Sequence, residues 1–174
     1  MDFRFVLGLL GSLILIIGVL TTAPKIKNGF FAVGNACMFL YALLGYLAGG
    51  PIFFLILQIF IALSTISMLL KIPDAYDTPL LAIGGLALVV WSLSLFEGYS
   101  TAIFVVGLAL LGIGFAMDAG TTKREIALMV GSAVIAVFSV LMRDWIFIGL
   151  NVLFAVLSLV NIMRMTHRPS LAHT

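Results

Sequence analysis

The chain has 174 residues, 63% of them hydrophobic and only 9% charged, with a formal net charge of +2. A soluble domain carries about 25% charged residues, so this composition excludes one and defines an integral membrane protein. The positive surplus is too small, and too scattered between apolar runs, to build a nucleic-acid groove.

Apolar runs long enough to cross a bilayer core, about 17 to 25 residues, fall at 5–22, 29–48, 51–70, 79–95, 101–117, 126–142 and 145–163. They predict seven helices joined by connections too short for a soluble domain. Within lipid only helices and closed barrels satisfy every backbone N–H and C=O, and the alternating pattern of a barrel strand is absent, so the expected fold is all-α. The first run has the look of a secretory signal ending at Thr21-Thr22-Ala23. Pro24 follows that point and Asp2 accompanies Arg4, so it is read as a retained span. Cys37 is the only cysteine and lies within the second run. No intrachain disulfide is available to it, and a small buried hydrophobe is its expected role.

Placing the N-terminus outside puts Arg4 and Arg143 in outer segments, and Lys25, Lys27, Lys71, Lys123, Arg124, Arg164 and Arg168 in inner ones. Short loops follow the positive-inside rule, so the expectation is N-terminus out and C-terminus cytoplasmic. Tyr46, Trp91, Tyr99 and Trp145 then fall near the outer interface, where aromatic belts form.

The chain also repeats itself. A shift of 94 lays Pro51-Ile52-Phe53 on Trp145-Ile146-Phe147, Phe60 on Phe154, Leu63-Ser64 on Leu157-Ser158 and Ser67 on Asn161. At 97, Val33-Gly34-Asn35-Ala36 falls on Val130-Gly131-Ser132-Ala133. At 96, Gly11, Leu15, Ile17 and Gly18 fall on Gly107, Leu111, Ile113 and Gly114. Three segments recurring in order predict an internal duplication. Three helices end on the opposite side from their start, so the unmatched fourth run restores orientation and the two halves are parallel repeats. The expected organisation is a first three-helix repeat at 1–71, a linker helix at 72–98, a second repeat at 99–166 and a cytoplasmic tail at 167–174. Gly11 with Gly18, and Gly107 with Gly114, put small residues on one face for close helix packing.

No ionisable group falls clearly inside a span; Asp118 and Arg143 lie at ends, which argues against a proton-coupled pump. His167 and His173 are in the tail, without the spacing of a metal or haem site. No Ser-His-Asp set, HExxH motif or phosphate loop is present, so neither an enzyme nor a cofactor is expected. The polar groups inside are uncharged: Asn35, Gln58, Thr65, Ser132, Asn151, Ser158 and Asn161, with the hydroxyl of Tyr41. Asn151 and Ser158 are seven apart with Asn161 three beyond, and Gln58 and Thr65 are seven apart, so each set forms a stripe. Interhelical hydrogen bonds worth about 0.6 kcal/mol each are one use for such groups. Their recurrence in both copies points to another, a central polar pocket lined by Asn35, Tyr41, Gln58, Ser132 and Asn151.

This layout resembles the SWEET and SemiSWEET sugar transporters and the wider PQ-loop family. Asp144 followed seven positions later by Asn151 is similar to the start of the family's span and its substrate-contacting asparagine, and Phe39-Leu40-Tyr41 resembles part of its aromatic stretch. Pro24-Lys25 and Gly120 stand where the family has its Pro-Gln and second proline, Met38 where it has tryptophan, and Leu57 at the first-copy position matching Asn151. The resemblance implies a transporter. The expected function is carriage of a small neutral polar solute by alternating access between two three-helix bundles, and a non-transporting scaffold or partner-binding subunit is the competing expectation. The expected partner is the lipid bilayer of the plasma membrane, as in small bacterial inner-membrane proteins of this layout, and a homo-oligomer is compatible with it.

Overall fold

The computed structural model describes residues 3–21, 23–118 and 120–167. The tail expected at 167–174 lies outside them except for His167, as does Thr22. Among the described residues there are seven helices and no strand: α1 (Phe3–Leu20), α2 (Pro24–Leu47), α3 (Phe53–Leu70), α4 (Asp74–Ser94), α5 (Tyr99–Phe115), α6 (Thr122–Leu141) and α7 (Trp145–Thr166). Six are long and apolar enough to cross a membrane, and α5, with 17 residues, is the short one. These helices make it a multi-pass membrane protein, helical throughout its described elements.

Several helices outrun their apolar stretch. α2 starts at Pro24 rather than 29, α4 at Asp74 rather than 79, and α7 continues to Thr166. The apolar run marks the lipid-facing length, whereas Lys25, Lys27, Asp74, Asp77 and Arg164 extend the helix in polar surroundings. Pro24 starts α2 at a position where no helical N–H is required, after Ala23 in an extended conformation. Asp74 and Asp77 lie in the first turn of α4, where negative charge meets the positive end of the helix dipole. Pro79 lies beyond that turn and leaves the Ala75 carbonyl without its helical donor. Thr121 caps α6 by accepting from Arg124 N at 3.3 Å, and Asp144 caps α7 by accepting from Phe147 N at 3.1 Å.

The chain divides into two compact units, Met1–Phe96 with α1 to α4 and Glu97–Thr174 with α5 to α7. In the first, α1 packs on α2, α2 on α3 and α3 on α4; in the second, α5 packs on α6 and α6 on α7. Glycines set the α1–α2 seam. A methyl group on Gly11 would lie 2.9 Å from Cys37 Cβ and 3.2 Å from Met38 Cγ, and one on Gly34 only 2.7 Å from Leu15 Cγ. The α5–α6 seam has the same construction: a methyl on Gly107 would lie 2.7 Å from Ile135 Cδ1, and one on Gly131 3.0 Å from Leu111 Cγ. Without a hydrophobic drive between helices in lipid, such close backbone approach supplies the association energy.

The bends after α2 and α6 also match. Gly49 N donates to Tyr46 O and Gly50 N to Gly45 O, both at 2.9 Å; Arg143 N donates to Val140 O and Asp144 N to Ser139 O, both at 3.0 Å. This is the Schellman pattern, which needs a left-handed residue. Gly49 takes it at φ 87 and Arg143 at φ 56.

Candidate functional site

In the first unit the polar side chains inside the helices gather between α2 and α3. Asn35 Nδ2 donates to Thr65 Oγ1 at 2.7 Å, and Thr65 Oγ1 donates onward to Ile61 O at 2.8 Å. Gln58 lies on the same face of α3 as Thr65, two turns nearer the helix start. The helices run antiparallel, so the Asn35–Thr65 pair sets Gln58 level with Ala42 of α2, a buried small residue. Gln58 is 1% exposed, and its Oε1 has no hydrogen-bond partner among the described residues. An unsatisfied buried polar group costs about 1 to 3 kcal/mol, so this position does not follow from packing.

Tyr41 faces elsewhere. Its ring lies against Gly8 of α1, where an added methyl would come within 2.8 Å of Cδ2, and the Arg4 guanidinium sits 5.6 Å from the ring centroid. The structure thus pairs Asn35 with Thr65 between α2 and α3, leaves Gln58 two turns away on the Thr65 side of α3, and sets Tyr41 on the α1–α2 seam. Buried Met38 shares that seam and accepts a contact from Ser12 Oγ at 3.6 Å.

In the second unit Ser132 on α6 and Asn151 on α7 are both buried, at 4% and 6% exposed. Asn151 Nδ2 donates to Phe147 O of its own helix at 2.9 Å. Ser158 shares its buried stripe. Asn161 does not: it is exposed and its Nδ2 reaches Glu125 Oε2 on α6 at 3.4 Å. Glu125 and Ser132 are seven apart, which sets Ser132 on the side of α6 that meets α7.

The two amide stripes are offset. Position 58 corresponds at 94 to Val152, which is 48% exposed, and Asn151 corresponds to Leu57, which is 1% exposed. The amides thus stand one residue, about 100° of helix, apart in their respective units.

Sequence reasoning missed the carboxylate partners. Ser67, 2% exposed, donates to Asp77 Oδ1 across α3 and α4, and its counterpart Asn161 donates to Glu125. The Ser67–Asn161 match under the shift of 94 was the available signal. Among the described residues no group of three His, Cys, Asp or Glu side chains is placed to hold a metal ion.

Fold and site together define a multi-pass helical membrane protein with buried, uncharged polar side chains. No protein-family model, curated protein or solved structure matches the chain.

Proposed function

We propose that the protein carries a small neutral polar solute by alternating access, with α1–α3 and α5–α7 as parallel repeats and α4 as the link between them. One observation carries this reading: Gln58 and Asn151 are amides buried in apolar helices, yet neither is spent on holding helices together. Asn151 bonds its own backbone and Gln58 Oε1 bonds nothing among the described residues. An amide kept in an apolar helix without an interhelical bond is better explained by a ligand than by assembly. A neutral solute fits best because, among the described residues, the fully buried polar side chains are amides and hydroxyls.

The repeat reading draws support from contacts inside each unit. Gly11 against Met38 and Gly34 against Leu15 have counterparts in Gly107 against Ile135 and Gly131 against Leu111, all displaced by 96 or 97. The two Schellman bends repeat bond for bond at 94. The seven-to-two distribution of Lys and Arg between short segments supports a plasma-membrane protein with its N-terminus outside and α5 spanning like the others. Exposed Tyr46, Trp91, Tyr99 and Trp145 fit an outer aromatic belt. The resemblance to the SWEET and SemiSWEET transporters belongs to the same proposal.

The Asn35–Thr65 bond favours the second reading, a membrane scaffold whose amides lock helices together. Asn151→Leu separates the two. It removes donor and acceptor at nearly constant volume, and the lost bond is local, so a carrier loses uptake while its melting point moves little. Unchanged flux beside a lowered melting point sinks the carrier reading.

A further inference from the structure

We infer that the end of the second unit formed by the start of α6 and the end of α7 binds the headgroup phosphate of an anionic phospholipid, with Arg124 as its principal contact. The inference is independent of transport and uses only the membrane placement of α6 and α7.

Arg124 lies in the first turn of α6, which Thr121 caps by accepting from Arg124 N at 3.3 Å. Its side chain stands one turn before Leu128, on the face that meets α5 at Gly114, where a methyl would come within 2.7 Å of Leu128 Cδ2. The side chain is half-buried, and its buried Nε has no hydrogen-bond acceptor among the described residues. A guanidinium stays charged, so a buried N–H on it calls for an acceptor more strongly than a neutral donor does.

The matched position in the first unit is satisfied. Lys27 falls on Arg124 at a shift of 97, and Phe31 falls on Leu128. Lys27 Nζ sits 5.8 Å from the centroid of the Phe31 ring on its own helix. The second unit keeps the cation and has leucine in place of the ring, so that partner is missing there.

Other positive groups converge on the same end. α6 and α7 run antiparallel through a short connection, and Asn161 Nδ2 reaches Glu125 Oε2 at 3.4 Å. Arg164, one turn beyond Asn161, is thereby level with the first turn of α6, where Lys123 adjoins Arg124. The N–H groups of Thr122 and Lys123 precede the first intrahelical bond of α6, from Glu125 N to Thr121 O at 3.2 Å, and carry the positive end of its dipole. Two carboxylates share this end: Glu125, which accepts from Asn161, and exposed Asp118, whose backbone oxygen accepts from Thr121 Oγ1 at 3.0 Å. Three cations and a helix start outweigh them.

A phosphodiester suits this arrangement. The guanidinium is a planar fork that meets two phosphate oxygens at once. Helix ends in a bilayer lie at headgroup depth, and basic side chains between helices there recruit anionic headgroups. In the proposed topology this end is cytoplasmic, facing the leaflet with the negative surface potential.

The test uses the full-length protein in nonionic detergent, with dioctanoyl phosphatidylglycerol, dioctanoyl phosphatidylcholine and inorganic phosphate as probes. Melting temperature is recorded against probe concentration, since a ligand of the folded state raises the midpoint. Phosphatidylglycerol is expected to reach a given shift at about tenfold lower concentration than phosphatidylcholine, whose choline cation meets Arg164 and Lys123 like charge to like. Arg124→Gln is expected to raise the phosphatidylglycerol concentration required by about tenfold, the worth of one charge-assisted hydrogen bond. Arg124→Lys should recover part of that loss, and Lys27→Gln, at the matched position, none of it should affect. Each shift is read from the variant's own midpoint without lipid, so a lowered baseline does not obscure it. Equal shifts from the two lipids, a wild-type response in Arg124→Gln, or the same loss in Lys27→Gln overturns the site. Inorganic phosphate acting as well as phosphatidylglycerol overturns the lipid as its occupant. Flux is not part of the reading, so failure here leaves the carrier proposal untouched.

Discussion

The pair α1–α2 and the pair α5–α6 are two solutions to one packing problem, and what they share differs in kind from what they do not. Both place glycine where backbones meet, and both answer it with a bulky side chain at the same displacement: Leu15 over Gly34, Leu111 over Gly131. A third pair keeps the position and changes the residues. Tyr41 lies against Gly8 in the first unit, while Phe138 stacks on Phe104 at 5.1 Å between ring centroids in the second. Gly8 and Phe104 are 96 apart, Tyr41 and Phe138 97. The glycines that meet a neighbouring helix at matched positions recur in both halves, whereas this third position is filled by pairs of quite different combined volume, so each half packs it in its own way.

The largest expected effect breaks both seams alike. Gly34→Val and Gly131→Val each force branched carbons into space already taken by Leu15 or Leu111, and each is expected to destabilise by about 3 kcal/mol, the upper range for overpacking. Thermal melts of the two variants should agree within error. Leu15→Ala and Leu111→Ala should each restore part of the loss in the matching variant. A large loss in one half with none in the other would break the equivalence.

An intermediate effect sits at the bends. A methyl on Gly49 would meet nothing within 4 Å, so Gly49→Ala isolates the backbone cost of a left-handed side chain, about 1 to 2 kcal/mol. Arg143 already bears that cost at φ 56, so Arg143→Gly should raise stability by about 1 kcal/mol. Denaturation of the two variants should move in opposite directions.

Smaller still are two contacts of the first unit. Arg4→Gln removes the cation above Tyr41 and should cost about 0.5 to 1 kcal/mol. Thr65→Val should cost about 0.6 kcal/mol, the average for a hydrogen bond between membrane helices. The matched position in the second unit is Leu159, so Leu159→Val should leave hydrogen bonding there unchanged, and melts of both variants check the contrast.

The sequence by itself determined the number and order of helices, because a run of apolar residues in lipid has one way to satisfy its backbone. It also pointed to the glycine seams, since Gly11, Gly18, Gly107 and Gly114 recur at a spacing that only a helix face explains. Helix ends were less legible: Pro24, Asp74 and Thr166 lie beyond the apolar runs, where hydropathy no longer reports conformation. Of the candidate site, the residue types were readable and their directions were not. The one-residue offset between Gln58 and Asn151 was readable from the shift of 94; only the tertiary structure gives the Asn35 amide to Thr65 and turns the Asn151 amide back onto its own helix. The physical reason is that periodicity fixes which residues share a face, whereas which neighbour that face meets, and which group an amide bonds, depends on how the helices pack around it.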